Sequence, residues 1–501
     1  HQPMHNEDNT IWIVVNGEIY NYKSLRESLI SLGHRFYSQS DSEIVVHAYE
    51  EYGEEFVSKI EGMFAIAIWD AREKKIILAR DRLGIKPLYY YSNNRYLIFA
   101  SEIKAILLDK DYVDKELNEE ALPQYFTFQC ILTNETMFKN IYKLDPGSIL
   151  IWNSKRFGVK KKYWSIDNID RVEDDCVTVR ELEGALFKAI KSHLVSDVPI
   201  GVLLSGGLDS SSIVAIMKEV GIERINTFTA GFSRRDDEFE FARKVAKTFA
   251  TEHHEFIIHP SQLPYTLERI IWHMDEPLAD GGAIATYLIS AHIREFVKVI
   301  LVGEGGDETL GGYNWYRISA IPFSLLPMDA KRRLYFYLTT FHRGKYTKDQ
   351  FSLFLRLLPN RNSFFDSMSM FEIDRILPNS LLMKVDKMTM AHSLEARVPF
   401  LDHHFVSVAT RLGYTHKISL FSTKRYPCNQ VPGRAVLIEP SEAKEIVVVV
   451  NYYMVGPQDS ASHNCFKKVF GYLLHCGNTY ERKVRLPFYI EIIPSEYLTA
   501  G

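Results

Sequence analysis

Features typical of secreted, membrane-bound and nucleic-acid-binding proteins are scarce in this sequence. Its 501 residues include five cysteines, which form no CxxC pair and show no metal-site spacing. A formal net charge of −4 leaves no basic excess to meet the phosphates of a nucleic acid or of a membrane surface. There is no signal peptide, and no apolar run approaches the roughly 20 residues of a membrane helix. We therefore expect no nucleic-acid partner, no membrane, and free thiols in a reducing cytoplasm.

The composition is otherwise that of an ordinary globular protein. Apolar residues make up 46% of the chain and charged residues 24%, and the length allows two or three domains with cores of their own. Residues 1–166 are rich in predicted strands, and a polar, acidic stretch at 167–174 has the composition of a linker.

A glycine- and serine-rich loop organises the second half of the chain. The apolar run 200–204 predicts a buried parallel strand, and the run that follows the serines predicts a helix. Between them, Ser205-Gly206-Gly207 removes Cβ atoms where the chain must turn sharply and approach a ligand. Backbone N–H groups and the hydroxyls of Ser210 and Ser211 would then face phosphate oxygens at a helix N-terminus. The plain alternative is a Gly-Ser turn in some other βα unit.

An acidic residue inside this loop points to a divalent cation. Asp209 places a carboxylate where phosphates would bind, which is favourable only if an ion such as Mg²⁺ lies between them. The loop lacks the pattern GxxxxGK[ST], so an ordinary P-loop NTPase is excluded.

Two further apolar runs, 225–232 and 297–302, predict neighbouring parallel strands. The second ends in Gly303-Glu304-Gly305-Gly306-Asp307-Glu308. Acids and glycines at the carboxyl end of a strand lie where open α/β sheets bind their ligands.

The amino-terminal region carries two ambiguous signals. The predicted strand 11–15 ends in Asn16-Gly17-Glu18, for which a hairpin turn is the plain alternative. Asp41 precedes a predicted helix, so a helix N-cap is the plain alternative for this residue.

Several motifs resemble the glutamine-hydrolysing asparagine synthetase family, in the family's order. They are VNGEIYN, SDSE, GMFAIAIWD, ARDRLGIKPLYY, ASEIKA, SGGLDS, DEPLAD, GEGGDE, LLMKVDKM and HSLEARVPFLD. The resemblance implies an α+β plus α/β chain. An N-terminal-nucleophile-type αββα glutaminase sandwich at 1–166 precedes an ATP-pyrophosphatase-type, doubly wound parallel-sheet synthetase domain at 175–412. The segment 413–501 would be a divergent tail.

For the glutaminase domain, the resemblance implies that Asn16 and Gly17 form an oxyanion hole and that Glu18 and Asp41 hold the α-amino group of glutamine. The family's nucleophile is a cysteine at the mature amino terminus. Position 1 is His1, and Cys130 lies too far along the chain to substitute. We therefore expect that the sequence lacks a few dozen leading residues and that this domain, as it stands, does not hydrolyse glutamine.

For the synthetase domain, the resemblance implies a site for ATP, Mg²⁺ and aspartate. Asp209 and Asp307 would hold the metal, Glu304 would contact the reacting aspartate or the ammonia-accepting centre, and Lys424 would stabilise the adenylated intermediate. The implied contacts to ATP and pyrophosphate are Leu204, Ser205, Gly206, Gly207, Asp209, Ser210, Gly231, Gly303 and Asp307.

Asp386 is a single acid among apolar residues, where an uncompensated carboxylate is costly. The sequence leaves two interpretations open: a catalytic residue with a functional charge partner, or a structural salt bridge to Arg397.

The sequence departs from the family pattern at two places. Val302 stands where the family often has Ser or Thr, and after about Gly413 the family's basic RKxGF segment is missing. Its place holds the apolar run 446–450, and the abrupt change predicts a frameshifted or rearranged carboxyl terminus.

The expected reaction is amidation of aspartate through β-aspartyl-AMP, with ammonia from glutamine or from solution. Two alternatives remain. One is a related amidotransferase that adenylates another carboxylate, as in β-lactam formation or amidation of surface-polysaccharide sugars. The other is a non-catalytic remnant that binds nucleotide. Family members often form homodimers, but nothing in the sequence defines an interface.

Overall fold

The computed structural model describes residues 2–93, 95–153, 156–169, 179–231, 237–340, 348–361, 363–418 and 423. The predictions for Lys424, for most of the 167–174 linker and for the tail beyond residue 423 lie outside these residues.

The strands, in chain order, are β1 (Met4–His5), β2 (Ile11–Ile19), β3 (Gly62–Asp70), β4 (Lys75–Arg80), β5 (Tyr89–Ser92), β6 (Leu97–Ala100), β7 (Ile141–Lys143), β8 (Ser148–Asn153), β9 (Arg156–Lys162), β10 (Ile200–Leu203), β11 (Asn226–Gly231), β12 (Glu252–Ile257), β13 (Val299–Leu301) and β14 (Glu395–Arg397). The α-helices are α1 (Tyr22–Ser31), α2 (Glu43–Tyr52), α3 (Phe56–Lys59), α4 (Ile103–Ile106), α5 (Leu122–Phe128), α6 (Val179–His193), α7 (Leu208–Val220), α8 (Asp237–Phe249), α9 (Leu263–Met274), α10 (Gly282–Ile293), α11 (Gly306–Leu310), α12 (Met328–Thr339), α13 (Lys348–Leu357), α14 (Phe364–Phe371), α15 (Leu377–Asn379), α16 (Leu381–Met390), α17 (His403–Arg411) and α18 (Tyr414–Lys417).

Two antiparallel sheets form the centre of the amino-terminal domain. Their strand orders are β1-β2-β3-β4-β8-β9 and β6-β5-β7. Side chains alternate along β3, so that Ile66 and Ile68 belong to the core under α1 and α2, while Ala65 and Ala67 belong to the core between the sheets. The outer face of the smaller sheet packs on α4. The order of layers is therefore helix, sheet, sheet, helix.

Strand β2 is longer than the sequence predicts. It continues through Gly17 to Ile19 and pairs with β3 along its whole length, Asn16 opposite Ala65 and Gly17 opposite Phe64. The predicted end of the strand at residue 15 and the hairpin-turn alternative are both wrong. A Cβ on Gly17 would lie 1.9 Å from the Met63 carbonyl oxygen, so glycine is required here by close approach of the two strands rather than by a turn.

A parallel sheet of order β12-β11-β10-β13-β14 forms the second domain, and this confirms the parallel strands predicted at 200–204, 225–232 and 297–302. Successive residues of its strands point to opposite faces, and both faces are covered by helices. Val202 and Leu301 join the core with α6, α7 and α17, whereas Ile300 and Val302 join the core with α10 and α16.

The described helices between residues 321 and 371 contribute an aromatic core of their own, although Phe323, Leu338 and Leu355 are exposed. Phe336, Phe354, Phe364 and Phe371 are buried together in a helical cluster. Within the described residues, no helix has the length and apolar character that crossing a membrane requires.

Candidate active sites

The glycine-serine loop lies at the point where the order of the parallel sheet reverses. From β10 the chain adds β11 and then β12 on one side, and later adds β13 and β14 on the other. The loops after β10 and β13 therefore leave the same edge of the sheet in opposite directions, which opens a crevice between them. This topology brings residues 204–210 next to residues 302–307.

Asp209 is the residue at which the two loops meet. A Cβ on Gly303 would lie 3.1 Å from the Asp209 Cβ, and a Cβ on Gly306 would lie 2.6 Å from the Asp209 Cγ. Both glycines are therefore needed for the second loop to approach the Asp209 carboxylate. Asp307 follows Gly306 in the first turn of α11. The two predicted metal ligands thus belong to adjoining loops.

The loop itself is held by short-range hydrogen bonds. The Ser205 Oγ accepts a bond from the Gly207 N–H at 3.2 Å and lies 3.1 Å from the Ser210 Oγ. Ser205 and Gly207 are exposed, whereas Ser210 is buried. The mouth of the loop is therefore open to a ligand while its base is fixed.

Helix α7 begins earlier than predicted, at Leu208 with Gly207 as N-cap, so the serines lie inside its first turn. The first N–H groups of a helix have no acceptor within it, which makes this end of α7 suited to an anion. The Ser211 hydroxyl is buried without a hydrogen-bond partner, so its predicted outward orientation is wrong.

Leu204 and Gly231 stand at the ends of adjacent strands. Leu204 is fully buried, and its N–H donates to the Phe228 carbonyl at 2.8 Å. The Gly231 carbonyl accepts from the Ile258 N–H at 2.8 Å. Leu204 therefore keeps no free main-chain donor for a nucleotide, and its carbonyl already accepts from the Thr229 hydroxyl.

Glu304 follows β13 in the crevice and keeps part of its surface accessible. The surrounding protein raises the pKa of its carboxyl group by desolvation, and the nearby Lys384 ammonium opposes this rise. Lys384 is buried and forms an ion pair with Asp280 at 2.9 Å. Lys384 lies in the LLMKVDKM motif and is not among the residues predicted from the sequence. A lysine inside an apolar helical run is a signal that could have identified it, because buried lysines are nearly always paired.

The residues predicted to bind glutamine converge around β2. The Asn16 Nδ2 donates to the Ser101 Oγ at 3.0 Å. The Asp41 Oδ2 accepts from the Ile19 N–H at 2.8 Å. Because the N-cap of α2 is Ser42, the helix-cap interpretation of Asp41 is wrong. The Asp41 carboxylate instead fixes the loop before α2 to the end of β2.

Glu18 faces the second domain. Its Oε2 lies 3.4 Å from a guanidinium nitrogen of Arg397, on β14. Burial, together with the charges of Glu395 and Asp41, raises the pKa of Glu18 to about 7, against the opposing charge of Arg397. Arg397 also donates to the His193 carbonyl at 2.8 Å. One arginine therefore connects β2, β14 and the end of α6.

The Asp386 salt bridge predicted to Arg397 is wrong. Asp386 pairs instead with Lys86 of the amino-terminal domain, Nζ to Oδ1 at 2.7 Å, and both side chains are buried. Arg397 is engaged by Glu395 at 2.7 Å and by Glu18. Lys86 lies 300 residues from Asp386, so the sequence offered no signal for this pair.

Helix α16 carries three charged side chains in three directions. Lys384 reaches Asp280, Asp386 reaches Lys86, and Lys387 reaches Asp275 at 2.5 Å. Asp275 is shared with Lys104 of the amino-terminal domain at 2.9 Å. The helix therefore connects the crevice of the synthetase-like sheet with the surface of the other domain.

Comparisons with known proteins agree with this geometry. The family model "Glutamine amidotransferase domain" matches residues 1–164, and "Asparagine synthase" matches residues 181–427. Asparagine synthetase [glutamine-hydrolyzing] 1 of Bacillus subtilis is 35% identical over 453 residues, covering 82% of this chain and 71% of the relative. Asparagine synthetase [glutamine-hydrolyzing] 2 of Arabidopsis thaliana is 33% identical over 425 residues, covering 81% of this chain and 60% of the relative. The chain belongs to the family of glutamine-hydrolysing asparagine synthetases.

Proposed function

We propose that this protein is an enzyme that converts aspartate to asparagine at the expense of ATP. The observation that carries the proposal is the meeting of the two loops at Asp209, at the reversal point of the parallel sheet. Such a crevice suits a nucleotide, and the relatives are named for asparagine synthesis with glutamine hydrolysis.

The reaction proceeds in two displacements. The aspartate side-chain carboxylate attacks the α-phosphorus of ATP, an O–P bond forms, and the bond to the departing pyrophosphate breaks. Ammonia then attacks the acyl carbon of β-aspartyl-AMP, a C–N bond forms, AMP leaves with the oxygen that came from aspartate, and ammonia's surplus proton passes to solvent.

The leaving pyrophosphate requires charge neutralisation. The N–H groups of the loop, with the hydroxyls of Ser205 and Ser210, surround its proposed position, and Gly206 and Gly207 leave room for it. Asp209 and Asp307 would supply the carboxylate oxygens that Mg²⁺ prefers, and the ion, when bound, would neutralise phosphate charge. Leu204, Gly231 and Gly303 complete the proposed ATP contacts.

Three further residues have proposed catalytic roles. Glu304, in the crevice and desolvated by its surroundings, is placed to contact aspartate or to receive a proton from ammonia. Asp386 acts through its ion pair with Lys86. The role of Lys424 in stabilising the adenylate stays a prediction from the family resemblance.

The amino-terminal domain is proposed to supply ammonia from glutamine. Its helix-sheet-sheet-helix layers support an N-terminal-nucleophile-type sandwich. Asn16 and Gly17 would donate to the oxyanion, and Glu18 and Asp41 would receive the α-amino group. We propose domain limits of 1–166 and 175–412, with 413–501 as a tail, and an ATP-pyrophosphatase-type doubly wound fold for the second domain.

Pyrophosphate release tests this function. The full chain is incubated with ATP, Mg²⁺ and aspartate, with ammonium as the nitrogen donor, so that the assay reports the synthetase site alone. Aspartate-dependent release is expected. In Asp209→Asn it should fall by roughly 100-fold or more, since one ligand of the metal that neutralises the leaving group is weakened. The exposed Asp111→Asn, the same chemical change far from the loop, should keep full activity.

Two results would contradict the proposal. Release that needs a carboxylate other than aspartate would favour a related amidotransferase. Stabilisation of the protein by ATP without any release would favour a nucleotide-binding remnant.

We propose the cytoplasm as the location and a homodimer as the assembly, both from the family resemblance. The described Cys130 is a buried free thiol, in keeping with a reducing compartment. Light scattering of the purified chain measures the assembly directly, and a mass of one chain would contradict the dimer.

A further inference from the structure

A cluster of histidines and glutamates lies in the amino-terminal domain, apart from the residues assigned above. Its members offer one ligand atom each, all within 4.8 Å of one another. We call it the histidine–glutamate cluster, and its members are Glu7, His34, His47 and Glu50.

Three separate segments build this cluster. Helix α2 contributes His47 and Glu50, which are three residues apart and therefore share one helix face. The turn between β1 and β2 contributes Glu7, and the loop after α1 contributes His34. Carboxylate oxygens and imidazole nitrogens from three segments therefore lie close together in the outer layer of the domain.

His47 is the observation that points to a ligand. Its side chain is fully buried, yet neither ring nitrogen makes a hydrogen bond. The Nδ1 lies 3.5 Å from the Glu7 Oε2, outside hydrogen-bond geometry. A buried polar atom without a partner is rare in native proteins and calls for one.

The distances between facing atoms are close to those of a coordination sphere. The His34 Nδ1 lies 3.6 Å from the Glu7 Oε1 and 4.0 Å from the Glu50 Oε2. Bonds of 2.0–2.1 Å place tetrahedral ligands of zinc about 3.4 Å apart. Contraction by about 0.2 to 0.6 Å for these two pairs, and by up to about 1.4 Å for any pair of the cluster, would therefore close the site.

A second set of carboxylates orients both imidazole rings. The Nε2 of His47 faces the Glu43 Oε1 at 3.5 Å, and the Nε2 of His34 faces the Glu51 Oε2 at 3.5 Å. Histidines that bind a metal through one nitrogen usually direct the other to a carboxylate or a carbonyl group, which fixes the tautomer and the ring. Each ring here has Nδ1 toward the cluster and Nε2 toward an outer glutamate.

The glutamates of the cluster are also held in place. The Glu7 Oε1 accepts from the Arg35 N–H at 2.8 Å. Glu50 accepts from the Asn6 Nδ2 and pairs with Arg72. The second group of candidate ligands, around Glu61, differs, because the His404 Nε2 is already hydrogen-bonded to Glu61 at 3.1 Å.

We propose that the histidine–glutamate cluster is a structural binding site for one zinc ion. Two imidazole nitrogens and two carboxylates favour zinc over magnesium or calcium, which prefer oxygen ligands alone. The ion ties the β1–β2 turn and the loop after α1 to helix α2. Its partial exposure at Glu7 gives the ion a path of entry.

Zinc titration of the full chain tests the site. After treatment with a chelator and dialysis, calorimetry with zinc chloride should show one equivalent bound, and zinc should raise the unfolding temperature. Glu7→Gln and His34→Gln, both at the rim of the cluster, should each weaken this binding by roughly tenfold or more. Cobalt bound to the unaltered chain should give the strong visible absorption of tetrahedral coordination.

Matched controls make the same chemical changes elsewhere. The exposed Glu73→Gln and His259→Gln should bind zinc as the unaltered chain does. Absence of zinc binding, equal binding in all variants, or a weak octahedral cobalt spectrum would each overturn the proposal.

Discussion

Glu308 is a residue whose environment makes stability depend on pH. It follows Asp307, a proposed metal ligand, and is buried, and its Oε1 accepts from the Tyr313 hydroxyl at 2.6 Å. Burial, and next the charge of the neighbouring Glu372, raise the pKa of Glu308 from its ordinary 4.5 to about 8. Glu372 is similarly affected, since burial raises its pKa to about 7 despite donors from Tyr335, Trp315 and Tyr316.

We predict that Glu308 makes the protein less stable as the pH rises from about 4.5 to about 8, a contribution that the buried His193, whose pKa burial lowers to about 3, opposes below about 6.5. In this window the folded chain retains the Glu308 proton and the unfolded chain has released it, so the folded state binds more protons and stability falls with pH. Glu308→Gln should weaken this dependence, as measured by the unfolding temperature at several pH values. The exposed Glu120→Gln is the control; an unchanged slope in Glu308→Gln would contradict the assignment.

At the scale of elements, Gly206 sets the packing of the loop against helix α8. Its φ of +78° is in the left-handed region, and a Cβ there would lie 2.5 Å from the main chain of Phe241 and Ala242. Close approach to a ligand is therefore not the only reason for a glycine at this position, because the neighbouring helix α8 also requires it.

Gly206→Ala is expected to destabilise the protein by roughly 2–5 kcal/mol, from left-handed strain and overpacking together. Gly221→Ala is a matched control, because Gly221 has a φ of +99° but no atom within 4 Å of an added Cβ. Its cost should be about 1–2 kcal/mol, from strain alone. Urea unfolding of both variants measures the difference. Equal costs would mean that the contact with α8 does not constrain the loop.

Local patterns predicted the central strands of the parallel sheet but not which side chains of distant elements come into contact. The apolar runs of β10 and β13 were sufficient to predict these strands, because a parallel strand buried on both faces is a continuous apolar stretch. The end of β2 was misjudged because Asn-Gly is a strong turn signal, and only the partner strand shows why Gly17 is needed. Asp41 was ambiguous for the same reason: its acceptor role toward Ile19 depends on a strand 22 residues away.

The sequence could not predict the buried ion pairs that join the two domains. A buried lysine or aspartate implies a partner, but the partner's identity depends on how two domains dock. One of the two interpretations of Asp386 therefore paired it with Arg397, which is near in sequence, whereas the structure pairs it with Lys86. Lys384 differs, because it pairs with Asp280 within the second domain, and its position in an apolar helical run is a sequence signal for a buried, paired lysine.

At the scale of the whole molecule, the Lys86–Asp386 pair joins the two domains. The charges of Asp386 and Glu395 outweigh burial and raise the pKa of Lys86, so its ammonium group is charged. Lys86→Met leaves the Asp386 carboxylate buried without its partner and should cost roughly 3–5 kcal/mol of stability. Denaturant unfolding measures this cost.

Two further variants distinguish the effect of breaking the ion pair from the effect of losing a side chain. The double variant Lys86→Met/Asp386→Leu should recover most of the stability, because an apolar pair leaves no buried charge. Lys161→Met, which removes a half-exposed partner of Glu54, should cost about 1 kcal/mol or less. A double variant as unstable as Lys86→Met would contradict the account.

The central claim is that ATP activates the side-chain carboxylate of aspartate by adenylation. The most direct measurement supplies aspartate labelled with oxygen-18 in that carboxylate, together with ATP, Mg²⁺ and ammonium, and follows the label by mass spectrometry. Attack on the α-phosphorus predicts one labelled oxygen in AMP for each asparagine formed. Label in inorganic phosphate with ADP as product, or asparagine formed without labelled AMP, would contradict it.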